Sequence, residues 1–234
     1  MGFNTEQFQV ALAMNIMEVR DLYRFYHTET EEKLALRGVS FSIGRGEIVA
    51  VMGPSGSGKS TLLSCVTGIS EPDGGCVTVS GTQITRKPEA ERAAIRGAKI
   101  GIMLQGGNLF DQLSVHDNIL MKMWLARKVD RPRIERLADS VNLRDRLWAF
   151  PSTMSGGEKA RAAIAVALAC DPQILVADEP TAEVDELTEK QIIWLFGNFR
   201  QNGGSALIAT HSDSLASYAD RVIYLHDGRI VDEK

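Results

Sequence analysis

Apolar residues in this chain fall into short blocks whose period changes from place to place. Ile16 to Tyr26 mixes β-formers with charges and predicts an edge strand. Leu34 to Ile43 predicts a second strand, entering a tight turn at Gly44-Arg45-Gly46. Ile48-Val49-Ala50-Val51-Met52 is continuously apolar and mostly β-branched, as a strand buried on both faces must be. Leu62, Leu63 and Val66 then open a helical pattern. Glu71-Pro72-Asp73-Gly74-Gly75 marks a turn, followed by a strand at Val77-Thr78-Val79 that turns at Ser80-Gly81. Pro88 to Arg96 predicts a short charged helix, and Lys99 to Leu104 a buried strand ending at Gln105. From Val115 to Arg146 the period is helical. Ile119, Leu120, Met123 and Trp124, then Ile134, Leu137 and Val141, recur at three- and four-residue steps, and the Met/Trp face is expected to pack in the core, with partner docking as the alternative. A third long helix starts at Gly156. Buried strands at Gln173–Ala177 and Ser205–Ala209, a helix at Leu187–Phe199 and a last strand at Val222–Leu225 complete the pattern. Residues 1–14 carry no period and are expected to form a loose arm, and His27–Lys33 a hairpin tip.

Strands alternating with helices predict a parallel sheet covered by helices on both faces. The helical stretch reads as an insertion between core strands, and nothing repeats. Length, at 234 residues, suits one large α/β domain or two small ones. A net charge of −4 disfavours a nucleic-acid partner. The three cysteines, Cys65, Cys76 and Cys170, have no metal or redox spacing, and two lie in apolar surroundings, as core thiols in a reducing cytosol would. No run of apolar residues is long enough to span a bilayer. The N-terminus lacks the basic and apolar regions of a secretory signal. Met1-Gly2 invites myristoylation, but Glu6 stands where Ser or Thr is needed, so no direct lipid anchor is expected.

Chemistry enters at Gly53-Pro54-Ser55-Gly56-Ser57-Gly58-Lys59-Ser60-Thr61, which fits the phosphate-binding loop G-x-x-x-x-G-K-[ST] between a strand and a helix. Glycines let backbone N–H groups approach a phosphate, and the helix N-terminus adds about half a positive charge. Lys59 supplies a full charge for the outer phosphates, and the Ser60 hydroxyl suits Mg²⁺. Ile174 to Ala177 delivers Asp178 and Glu179 at a strand end, where ligands of open α/β sheets sit. Asp178 is placed to hold the Mg²⁺ hydration shell, and Glu179 to orient and polarise an attacking water. Ser155-Gly156-Gly157-Glu158 opens a helix. Ser155 with Glu158 forms a simple capping box, which explains the spacing but not two glycines. Glycines there fit close approach of a bulky anion. With the phosphate loop already serving one nucleotide, this second anion site predicts a two-fold pair of chains.

Together these motifs make almost the whole chain resemble the ATPase subunit of an ABC transporter. The resemblance implies a P-loop NTPase of RecA-like α/β fold, with an antiparallel β subdomain and an inserted helical subdomain. Residues 1–104 and 150–234 would form the core with the β subdomain, and residues 105–149 the helical subdomain. Gly53–Thr61 matches the Walker A loop, Asp178 and Glu179 match Walker B and its catalytic glutamate, and Ser155-Gly156-Gly157 matches the signature motif. Gln105 matches the Q-loop glutamine, which in the family touches Mg²⁺ and the membrane partner. Val184-Asp185 matches the end of the D-loop. His211, after Leu207-Ile208-Ala209-Thr210, matches the switch histidine that contacts the γ-phosphate. Tyr26 is the candidate for stacking on adenine, with Tyr23 and Phe25 as rivals. The implied ligands are ATP and Mg²⁺, the metal being held by Ser60, Gln105 and, through water, Asp178.

Small stand-alone ATPases of the lipoprotein-release and macrolide-export systems are the most similar group. The hairpin before Leu34 and the stretch from Leu109-Phe110 through Val115-His116-Asp117-Asn118-Ile119 support this. Three departures stand out. Met154 and Glu158 replace the usual Leu and Gln of the signature, the D-loop reads Ala182-Glu183-Val184-Asp185, and Gly106-Gly107 follow Gln105. The expected function is ATP hydrolysis that powers an integral membrane permease on a separate chain, through an ATP-driven homodimer or pseudo-dimer at the cytoplasmic face of the inner membrane. An ATPase that signals through a membrane partner without transport, as in cell-division complexes, is the alternative. DNA-repair and chromosome relatives carry a long coiled coil between the Q-loop and the signature, and no sustained heptads occur here. A phosphotransferase would leave Ser155-Gly156-Gly157 and Glu179 unexplained. The expected permease contact is a groove between Gln105 and the helical segment, lined by Leu109, Phe110, Leu113 and Met121. Burial of these four between core and helices is the competing expectation.

Overall fold

The computed structural model describes residues 15–27, 32–105, 108–182 and 184–233. The predicted N-terminal arm, most of the hairpin tip, Gly106-Gly107 and Glu183 lie outside the described residues. Two sheets organise the rest. The larger has six strands in the order β10-β9-β3-β8-β7-β6. Its strands are β3 (Ile48–Met52), β6 (Ile100–Met103), β7 (Ile174–Asp178), β8 (Ser205–Ala209), β9 (Arg221–His226) and β10 (Arg229–Glu233). All neighbours pair in parallel except β10, which is antiparallel to β9. The smaller sheet is antiparallel, in the order β2-β1-β4-β5. It comprises β1 (Asn15–His27), β2 (Glu32–Gly44), β4 (Gly74–Val79) and β5 (Thr82–Gln83).

The continuous apolar runs of the larger sheet have a direct cause in its packing. Along β7, Ile174 and Val176 belong to a core shared with the smaller sheet and α1 (Lys59–Val66). Leu175 and Ala177 belong to a second core under the long helices. Every residue of the strand is therefore buried, and alternation disappears. The first core sandwiches α1 between the two sheets, with Leu62, Leu63, Cys65 and Val66 all buried. Burial pushes the Cys65 thiol up to about 12 and raises that of Cys170. These are the core thiols the sequence predicts. The second core holds α3 (Val115–Leu125), α4 (Arg131–Ser140), α5 (Gly156–Leu168) and α6 (Glu186–Gln201). The short charged helix α2 (Glu89–Lys99) leads into β6 and has no fully buried residue.

Three expectations are corrected. Ile16–Tyr26 is not an edge strand: β1 lies between β2 and β4, and the edges are β2 and β5. Its charges misled because Glu18 and Arg20 pair with each other at 2.6 Å while Ile16, Met17, Val19 and Leu22 are buried. Trp124 is not part of the core face of its helix. It is 69% exposed, whereas Ile119 and Met123 are fully buried. Val222–Leu225 is not the last strand, since β10 follows, and a short helix, α7 (Asp213–Tyr218), precedes β9.

Candidate active site

The C-terminal ends of β3 and β7 deliver the first two groups of residues. After β3 the chain enters the loop 53–58. A Cβ on Gly53 would sit 2.0 Å from the Leu225 carbonyl oxygen, and one on Gly58 2.6 Å from that of Ala35. Both residues have positive φ, 151° and 108°. No other residue fits either place, so β9 and β2 hold the loop tightly around Lys59. Pro54, Ser55 and Gly56 form its exposed crest, and Ser57 is buried beneath. The Ser57 N–H donates to the Pro54 carbonyl, and its own carbonyl accepts from Gly228 N–H at 2.9 Å. Lys59 opens α1 and is buried. Its Nζ donates to the Gly53 carbonyl at 2.8 Å and lies 3.2 Å from His211 Nε2.

β7 ends at Asp178, a buried carboxylate. The next residue, Glu179, turns the chain with φ 50°, a left-handed conformation that costs a non-glycine residue on the order of 1 kcal/mol. Its N–H is fixed to the Ala209 carbonyl of β8 at 2.9 Å. Glu179 Oε2 accepts from His211 N–H at 3.2 Å. Oε1 is 3.5 Å from His211 Nε2, outside hydrogen-bonding geometry, and is buried without a hydrogen-bond partner. The hydroxyl of Ser57 is buried and unpartnered in the same way.

These groups surround one cavity of about 550 Å³, within the ordinary range for a small-molecule site. Ser55, Gly56, Gly58, Lys59, Ser60 and Thr61 line it, together with Gln105, Asp178, Glu179 and His211. Tyr26 lines it too, beside Ala35, whereas its rivals Tyr23 and Phe25 do not. Gly53, Pro54 and Ser57 support the loop from outside the cavity wall. A second cavity, of about 620 Å³, shares Gln105 and Glu179 and adds Gly156 and Lys159. Thus the phosphate loop, both carboxylates, Gln105 and His211 are brought together, whereas Ser155 and Gly157 line neither cavity. Ser155 and Gly156 are exposed at the start of α5.

At that helix start the capping box forms in full. Ser155 N–H donates to Glu158 Oε2 at 2.8 Å, and Glu158 N–H donates to Ser155 Oγ at 3.2 Å. The Ser155 backbone bond holds the Glu158 carboxyl below its usual range. Gly157 also has a packing cause that spacing does not reveal: a Cβ there would meet Thr188 Cγ2 at 2.7 Å. Thr188 is fixed by Asp185, the N-cap of α6, whose two oxygens accept from its N–H and hydroxyl.

The groove next to α3 is lined by Leu109, Phe110, Met121 and Leu125, with a volume of about 320 Å³. Phe110 is 53% exposed, which excludes burial of the whole set. Leu113 is not in it. Its carbonyl instead accepts from the buried Asn118. Asn118 also bonds both backbone groups of Phe110, holding that loop out over the groove. The spacing of Phe110 and Asn118 gave no signal for this.

The family model described as ABC transporter matches residues 36–182. The chain belongs to the ABC transporter family. The lipoprotein-releasing system ATP-binding protein LolD of Zymomonas mobilis is 37% identical over 223 residues, covering 94% of this chain and 96% of that protein. The macrolide export ATP-binding/permease protein MacB of Chlorobium phaeobacteroides is 37% identical over 222 residues, which are 94% of this chain and 34% of the longer protein. Among solved structures, the dimeric ATP-binding cassette MJ0796 bound to ADP and Pi superposes with a TM-score of 0.88 at 30% identity, covering 93% of this chain and 97% of that one. The chain is an ABC-type ATPase cassette with the P-loop NTPase fold, similar to the lipoprotein-release and macrolide-export group.

Proposed function

We propose that this ATPase cassette works as a pair of chains, homodimer or pseudo-dimer, that closes on ATP and drives an integral membrane permease carried on a separate chain. The observation that carries the ATP-hydrolysing part of this reading is the single cavity into which Lys59, Ser60, Gln105, Asp178, Glu179 and His211 converge. Lys59 binds the β- and γ-phosphates, exchanging its bonds to the loop carbonyls for phosphate oxygens. Glu179 Oε1, buried and free of partners, accepts the hydrogen bond of the attacking water. His211, fixed at its backbone by Glu179, faces the γ-phosphate. Tyr26 supplies a ring for the adenine.

Mg²⁺ fits the donors present. Among the described residues no group of three or more His, Cys, Asp or Glu forms a dedicated cage. Mg²⁺ usually takes one or two protein oxygens, phosphates and waters instead. Ser60 and Gln105 would hold it, with Asp178 acting through water. The ion would neutralise charge on the phosphates when bound.

Ser155 and Gly156, exposed at the start of α5, would with Gly157 complete the site of a second copy. Residues 105–149 are read as the helical subdomain and the remainder as core with β subdomain. The groove at Phe110 would receive a short helix of the permease. Among the described residues no helix is long and apolar enough to cross a membrane. Attachment at the cytoplasmic face of the inner membrane is ascribed to the permease.

Ser155→Arg and Lys59→Ala, each inactive alone, should regain ATPase activity when mixed, because the mixed pair holds one intact composite site. Full activity of Ser155→Arg by itself would overturn the two-chain site.

A further inference from the structure

Tyr26 does not stand alone at the cavity wall. The Arg24 guanidinium carbon lies 5.1 Å from the centroid of its ring, within the roughly 6 Å reach of a cation–π contact. Arg24 is held there from the side of the sheet. Its Nη1 donates to Asp73 Oδ2 at 3.2 Å. The same oxygen accepts from Phe25 N–H at 2.7 Å, and Asp73 N–H donates to the Tyr23 carbonyl at 2.9 Å. Asp73, in the turn before β4, thus grips three successive residues of β1. Arg24 Nε is buried without a hydrogen-bond partner, and against the cost of burial the charged guanidinium is favoured by Tyr26 and Asp73.

We infer that Arg24 is a positioning residue for nucleotide-base binding: it holds one face of the Tyr26 ring so that the ring is preset as a platform for a flat base. Ring orientation is then fixed before the ligand arrives, and less side-chain entropy is lost on binding. The cation also polarises the ring against which the base stacks. Arg24 does not itself line the cavity, so its effect is confined to ligands that carry a base. The inference rests on the reading of Tyr26 as the base-stacking residue.

The test compares the affinity of the full chain for ATP and for inorganic tripolyphosphate by calorimetry. Arg24→Gln keeps an N–H donor for Asp73 and removes the cation, and it should weaken ATP binding about three- to tenfold. It should leave tripolyphosphate binding unchanged. Arg24→Lys, which keeps the cation, should retain most of the ATP affinity. Adding Arg24→Gln to Tyr26→Ala should cost nothing further. Wild-type ATP affinity in Arg24→Gln, an equal loss for ATP and tripolyphosphate, or additive losses in the double variant would each overturn the inference. Wild-type ATP affinity in Tyr26→Ala would instead overturn the reading of Tyr26 itself.

Discussion

Gly157, at the start of α5, packs against the side chain of Thr188 in the first turn of α6, so closely that a Cβ would lie 2.7 Å from Thr188 Cγ2 and 2.8 Å from Oγ1. The signature segment and the helix after the D-loop therefore meet at a point where only glycine fits. Thr188 cannot swing aside, since Asp185 holds both its N–H and its hydroxyl. Those two bonds also keep the Asp185 carboxyl below its usual range.

Gly157→Ala should accordingly destabilise the fold by about 1–3 kcal/mol, the usual cost of overpacking. Thr188→Ala opens the space, so the double variant should be more stable than the sum of the single losses implies. Denaturant unfolding of the four proteins measures this coupling. Additive losses would show that the two residues do not meet.

This contact marks where sequence reading stops. The spacing of Ser155, Gly156, Gly157 and Glu158 predicts both a capping box and an anion site. The capping box is present in full, and Gly157 has a reason internal to the fold. Neither observation bears on a second nucleotide, so the two-chain reading rests on the resemblance and on exposure of Ser155. Strands buried on both faces were legible because such burial leaves an unbroken apolar run, as in β3, β7 and β8. The phosphate loop was legible because its chemistry is local. The place of β1 inside its sheet was not, because pairing with β4 is set by residues far along the chain. The strand β10 is mostly exposed and has little apolar pattern. Asp227-Gly228 before it, both with positive φ, is a hairpin signal that would have found it. Asn118, which shapes the Phe110 loop, reads in sequence as one more polar residue on a helix.

The exposed ring of Phe110 sets up a separate test of partner docking. Phe110→Asp should release the protein from membranes that contain its permease and abolish stimulation of ATPase activity by that partner. ATP binding and the melting temperature of the isolated chain should stay at wild-type values, because the ring contributes to the groove rather than to either core. Membrane fractionation with and without the permease, beside a thermal melt, reads both. Retention on the membrane would exclude this groove as the contact, and unfolding would make Phe110 a structural residue.

Hydrolysis by Glu179 within an ATP-closed pair is the centre of the account, and Glu179→Gln addresses it most directly. The amide keeps the size of the side chain and removes the charge on the unpartnered Oε1. Single-turnover ATP hydrolysis should slow by roughly 10²–10⁴-fold while ATP still binds. On size exclusion with ATP the variant should run as a dimer that the wild type forms only transiently. A variant that turns over ATP at the wild-type rate and stays monomeric would contradict both the role of Glu179 and the paired mechanism.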